Sequence, residues 1–257
     1  MALHQESSAK EGIRRILLRA CTELGRSDLV YLGLPAEDAL DIKVLQPVLA
    51  GAICIADSQD VLVETARSIA TIPLKTIVYH KGDAWKFLRD DYAKSVPADL
   101  AYLDFYGGGV RAPFQTELPA LRQYFVQHAD VKNRAFIFAW TYMPRDAGEE
   151  MYDKAVKFDL LSDKHRKTLS RLTGTNKRSY AIRLILARLV MEHEFQVKLY
   201  HHAVYKSTMN ALVLVYSKGI DPQCKVPLLP ASVDALVDEP YYLYAADGKI
   251  HKKTLGE

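Results

Sequence analysis

The feature that most constrains this chain is an alternation of short apolar strands with helix-length stretches, which stops abruptly near the end. Asp28-Leu-Val-Tyr-Leu-Gly33, Ala52-Ile-Cys-Ile-Ala56, Thr76-Ile-Val-Tyr-His80, Leu100-Ala-Tyr-Leu-Asp104 and Arg134-Ala-Phe-Ile-Phe-Ala-Trp140 each read as a buried strand. Helical spacing fills the gaps: Val44, Leu45, Val48 and Leu49 behind a cap at Asp41, then Val61, Leu62, Ala66 and Ile69. A short helix around Trp85 to Leu88 and a longer one from Leu118 to Ala129 follow. Strands joined through helices imply right-handed βαβ crossovers and a mostly parallel sheet. The pattern ends at Phe195 to Val204 and Asn210 to Tyr216, which only a short connection around Lys206 to Met209 separates. No helix fits there, so this pair must be an antiparallel hairpin. The expectation is an α/β fold with a seven-stranded sheet, an antiparallel C-terminal hairpin and helices on both faces.

One domain accounts for most of the 257 residues. Residues 1–27 read as an N-terminal amphipathic helix, with Ile13, Ile16, Leu17, Ala20, Cys21 and Leu24 on its stripe and Arg14, Arg15 and Arg19 off it. Residues 28–221 form the domain, with a basic, polar, helix-rich insertion at about 145–192, and 222–257 form a proline-punctuated tail of no assigned role. Hydrophobic residues at 49% and charged residues at 25% exclude a disordered chain. No apolar run reaches the roughly 18 residues of a membrane helix. The N-terminus lacks the basic-then-apolar order of a signal peptide, so a cytoplasmic protein is expected. Cys21, Cys54 and Cys224 share no metal-site spacing and read as thiols, the first two buried.

In open α/β sheets, ligands bind beyond the carboxyl ends of the strands, near the point where strand order reverses. Four strands here end in residues suited to that place: Gly33, Asp57, Asp83 after Gly82, and Asp104. A carboxylate twenty-four positions beyond Gly33 suits the two hydroxyls of a ribose. Each residue also has a plainer reading. Asp57 and Asp83 both precede helices and can be N-caps, Gly33 can end a strand, and Gly107, Gly108 and Gly109 can be a turn. The ordered set at the ends of one sheet favours a cleft.

These residues resemble those of class I S-adenosylmethionine-dependent methyltransferases over about residues 28–218, which implies a Rossmann-like fold. Asp57-Ser-Gln-Asp-Val-Leu-Val-Glu-Thr-Ala-Arg67 is similar to the family's acidic residue followed by a helix. Gly82-Asp83-Ala84 matches the adenine-contacting position, and the closing hairpin matches the family's last strand pair. The resemblance implies that S-adenosylmethionine lies against Gly33, Leu34, Pro35, Asp57, Ser58, Gly82, Asp83, Ala84 and Asp104. The first loop departs from the family's acidic-x-Gly-x-Gly-x-Gly, reading Tyr31-Leu-Gly-Leu-Pro-Ala-Glu-Asp38. Asp104-Phe-Tyr-Gly107 resembles, without its prolines, the Asp-Pro-Pro-Tyr motif of enzymes that methylate planar amines. That motif implies catalytic roles for Asp104, orienting the acceptor, and Tyr106, packing on it, with Phe105 in the substrate site.

The insertion suggests the acceptor. Between Met151 and Val190, ten lysines and arginines stand against three aspartates, in a chain whose net charge is only +3. Such a segment suits a phosphate backbone, although charge runs are usually solvated helix faces. Thr173 to Tyr180 reads as a loop in which Lys177 and Arg178 contact nucleic acid. His201 and His202 point to opposite sides of a strand, and no metal site is expected. His80 reads as structural, and Trp140 and Tyr142 as core or as an acceptor shelf. The leading expectation is a methyltransferase acting on nucleic acid. The alternatives are a small-molecule or protein methyltransferase, and a methyltransferase-like adaptor that has lost its cofactor.

Overall fold

A computed structural model describes residues 8–105, 117–142, 162–205, 209–244 and 250–254. Its sheet runs β10-β9-β6-β7-β5-β4-β1-β2-β3, with β8 added beside β6. The strands are β1 (Leu29–Gly33), β2 (Leu49–Ala56), β3 (Thr76–Lys81), β4 (Leu100–Asp104), β5 (Ala135–Tyr142), β6 (Gln196–Tyr205), β7 (Met209–Ser217), β8 (Leu229–Pro230), β9 (Tyr241–Tyr244) and β10 (Ile250–Lys253). The first five are parallel, β7 is antiparallel to β5, and β6 is antiparallel to β7. Strand order reverses between β1 and β4, so the switch point lies beside Gly33 and Asp104. This is the Rossmann-like arrangement of class I methyltransferases, and the tail adds three strands to the expected seven.

The helices are α1 (Ser8–Glu23), α2 (Leu40–Leu45), α3 (Gln59–Ile69), α4 (Ala84–Asp90), α5 (Glu117–Ala129), α6 (Asp163–Arg171), α7 (Gly174–Glu192) and α8 (Val233–Val237). Alternation along the strands divides the core between the two faces of the sheet. Ile137 and Ala139 of β5 join α1, α2 and α3, while Phe136, Phe138, Trp140 and Tyr142 join α4, α5 and α7. All eight residues of β5 are buried, as a central strand covered on both faces requires.

Four local expectations are corrected. The cap of α2 is Ala39, at φ 48°, not Asp41, which sits in the first turn and accepts a hydrogen bond from Arg14. Arg14 lies within the buried stripe of α1 because that bond compensates its charge, whereas Arg15 and Arg19 are exposed. The expected loop at 173–180 is the start of α7. The last correction concerns the polar character given to the insertion: α7 carries an almost unbroken interior run from Ser179 to Val190, packed between the sheet and α8.

Arg183, in the middle of that run, is fully buried and has no carboxylate partner among its described contacts. It donates to the carbonyls of Leu236 at 3.1 Å and Glu239 at 2.5 Å, and to His202 Nδ1 at 3.0 Å. The unpaired carbonyls at the end of α8 are a natural partner for a cation. His202 in turn meets Asn210 Oδ1 at 2.8 Å, which also accepts from Ser179 at 2.9 Å. The tail is thereby fastened to the interior, and β9 extends the sheet beside β6.

Candidate functional site

The expected residues gather at the carboxyl ends of β1 to β4. Gly33 closes β1 where no side chain fits: a Cβ there would lie 2.0 Å from the Tyr31 hydroxyl and 2.7 Å from the Tyr102 carbonyl. The following loop folds down onto α3, with Thr65 donating to the Ala36 carbonyl at 3.3 Å and Ser68 to that of Asp38 at 2.9 Å. Leu34 is half-buried and Pro35 is buried in this turn.

The two aspartates that follow β2 and β3 differ in how they are engaged. Ser58, not Asp57, caps α3, accepting from the Asp60 amide at 3.2 Å. Asp57 is exposed, and no hydrogen bond or ion pair of its carboxylate occurs among the described residues. Asp83 does cap α4, accepting from the Lys86 amide at 2.8 Å, and it is also exposed. Gly82 precedes it at φ 153°, a conformation that side-chain-bearing residues rarely adopt, and Ala84 is buried behind it.

Asp104 is the most heavily engaged. Thr141 Oγ1, beside it on β5, donates to Oδ1 at 2.5 Å, and Lys10 Nζ from α1 lies 2.6 Å from Oδ2. One turn further along α1, Arg14 pairs with Asp41, and burial pushes the Asp41 carboxyl up despite that partner. Tyr31 faces the same side: its hydroxyl is buried without a hydrogen-bond partner among the described residues, and burial pushes its pKa well up. Lys10, Arg14 and Asp41 were not among the sequence-derived candidates. The available signal was two cations four residues apart on α1, at positions the helical stripe buries.

On the opposite face, Phe105 stacks on Trp85 at 4.8 Å, Trp140 meets Trp85 edge-on at 5.4 Å, and Tyr142 follows at 4.9 Å. Phe105 is only half-buried, so this aromatic group extends from the core to the strand ends. Tyr106 and Gly107 to Gly109 lie outside the described residues. His80 lies against Phe87, ring centroids 4.6 Å apart.

The basic segment is less free than its composition suggests. Lys164 pairs with Asp234 and Asp238, Arg188 with Glu192, and Arg183 is interior. Arg166, Lys167 and Arg171 are exposed and Lys177 is half-buried. Arg178 is helical, with its side chain outside the described residues, as are Lys154 and Lys157. The bond from Ser179 to Asn210, which pairs with Tyr142, puts the first turn of α7 at the carboxyl end of the sheet. His201 stacks on Tyr242 at 4.9 Å while His202 enters the Arg183 cluster, and no metal-holding group occurs among the described residues. No helix there is long and apolar enough to cross a membrane. A separate cavity of 690 Å³ opens at the other end of the strands, lined by residues including Arg26, Lys132, Arg134 and Asp221.

No family model matches the chain, and no curated protein matches it in sequence. Solved structures align with it at low identity. Trm1 from Pyrococcus horikoshii, in complex with S-adenosyl-L-methionine, is 14% identical, with 94% of this chain and 63% of that chain covered and a TM-score of 0.47. An rRNA methylase from Streptococcus thermophilus is 8% identical, with 83% and 98% covered and a TM-score of 0.45. A precorrin-6y C5,15-methyltransferase from Geobacter metallireducens is 10% identical, with 84% and 94% covered and a TM-score of 0.44. Likenesses this distant carry no argument about what the chain acts on, so function rests on its own residues.

Proposed function

We propose that this chain is an S-adenosylmethionine-dependent methyltransferase whose acceptor is a nucleic acid, in the first place a base amine. The observation that carries the reading is Asp57: it stands at the end of β2, beside the switch-point strand, with its capping duty taken by Ser58. An exposed carboxylate so placed suits a ribose diol. The charged cluster at Asp104 and the orphaned Tyr31 hydroxyl, both on the α1 side of β1 and β4, fit the polar amino-acid end of the same molecule.

When bound, S-adenosylmethionine would supply an electrophilic methyl group. The protein's share is placement, since in-line displacement gains much of its rate from proximity and orientation. Asp104, one oxygen fixed by Thr141, accepts a hydrogen bond from an acceptor amine, and Phe105, backed by Trp85, holds the acceptor plane. Tyr106 is assigned the stacking role that its motif position implies. Lys177 and Arg178, on the first turns of α7, hold the acceptor's phosphates. A second reading, a methyltransferase-like adaptor, is favoured by the first loop, where Tyr31 and Pro35 stand at the family's acidic and glycine positions.

Calorimetric titration with S-adenosylhomocysteine separates the two. Binding is expected, and Asp57→Ala should weaken it by about 1.5 to 3 kcal/mol, the range for hydrogen bonds to charged groups. Absence of binding by the parent protein would favour the adaptor. For the acceptor, charge reversal at Lys177 and Arg178 should weaken RNA or DNA binding and flatten its salt dependence. Affinity unaffected by salt would remove nucleic acid from the proposal.

A further inference from the structure

The pairing of Lys10 with Asp104 joins residues ninety-four positions apart, from α1 and from the switch-point strand β4. Its parts are unequally fixed. Asp104 has its side chain only 8% exposed, and Thr141 holds its Oδ1. Lys10 is 20% exposed and reaches Oδ2 from the first turn of α1 on a flexible stem. Arg14 and Asp41, a buried pair one turn along, anchor the helix itself. Beside this sits the Tyr31 hydroxyl, buried and without a partner among the described residues, and close enough for the charges of Asp41 and Asp104 to act on it. The cluster thus offers one fixed anion, one movable cation and one spare hydroxyl.

An α-amino acid presents the complementary set, an ammonium and a carboxylate joined through a single carbon. We infer that Lys10 and Asp104 read the zwitterionic amino-acid end of the cofactor, their ion pair opening so that Lys10 takes the carboxylate and Asp104 the ammonium. The exchange keeps every charge compensated. Asp104 is never left as a lone buried anion, which would cost several kcal/mol. Tyr31 Oη, at the position where the family carries an acidic residue, is the further acceptor for the ammonium. The helix preceding the domain therefore belongs to the binding site as well as to the core. This inference rests on the cofactor reading above.

The test compares S-adenosylhomocysteine with 5′-methylthioadenosine, which keeps the nucleoside and sulfur but lacks the amino-acid end. Calorimetry on the full chain should show the first binding at least tenfold more tightly. Lys10→Met should reduce that preference at least fivefold while the affinity for methylthioadenosine holds within twofold. Should Lys10→Met fail to fold, the charge-neutral pair Lys10→Met with Asp104→Asn is measured instead, with the same loss expected. Equal affinities for the two ligands in the parent, or a preference unchanged in the variants, overturns the inference and leaves the cofactor reading intact. A parent that binds neither ligand overturns both.

Discussion

At Gly33 the absence of a side chain is a packing requirement. A methyl group there meets the Tyr31 hydroxyl at 2.0 Å and the Tyr102 carbonyl at 2.7 Å, and the second, being backbone, yields poorly. Gly33→Ala should therefore destabilise by about 1 to 3 kcal/mol, the usual range for overpacking, measured by urea unfolding. Tyr31→Phe removes a buried hydroxyl with no described partner, so it should be neutral or stabilising. In that background Gly33→Ala should cost less; equal cost in both would assign the clash to Tyr102 alone. Asp104 carries the catalytic side of the argument. Asp104→Asn can keep the Thr141 contact but loses the charge, and methyl transfer should fall at least about tenfold, or roughly 1.4 kcal/mol. Full activity in a folded Asp104→Asn would end that role.

Among the elements, β1 to β5 and the hairpin were legible because buried strands have short apolar runs, and a gap too short for a helix permits only reversal. The same reasoning found Asp57 and Asp104, since strand ends are where such sheets bind ligands. It missed Lys10, Arg14 and Asp41, because a contact across ninety-four positions leaves no periodic trace. It misjudged α7 for a related reason: scattered cations signalled a polar surface, but Arg183 is interior and Lys164 is spent on the tail. The tail itself is irregular in sequence and is ordered by partners distant from it. Arg183 is the chief of these, donating to carbonyls at the end of α8 and to His202. Arg183→Ala leaves those acceptors buried and unmatched, so a loss of about 3 kcal/mol is expected. Hydrogen exchange should rise in residues 233–244 before it rises in β4 or β5. Uniform exchange across the sheet would mean that Arg183 does not act through the tail.

The molecule as a whole carries three histidines that burial holds neutral, and together they set its response to acid. His128 is fully buried, with Nδ1 2.8 Å from the Tyr124 carbonyl and Nε2 3.1 Å from that of Ala98, and burial lowers its pKa to about 4. His201 is lowered to about 4 by burial, and His202 well below its ordinary value by burial and by the Arg183 charge. In the unfolded chain each titrates near 6.5. The unfolded state therefore binds more protons between pH 6.5 and 4, and stability present above 6.5 is lost as pH falls through that window. Each histidine contributes up to about 1.4 kcal/mol per pH unit there. Asp41 acts in the opposite direction, since burial raises its pKa and acid relieves its charge. His201 is the residue to change, because its buried Nε2 has no described partner and its ring stacks on Tyr242 at 4.9 Å. His201→Phe keeps a stacking ring and removes the titration. Its melting temperature should match or exceed the parent's at pH 7.5, and its advantage should grow by pH 5. An advantage that stays constant across that range would show that His201 is protonated in the folded protein and that the acid sensitivity arises elsewhere.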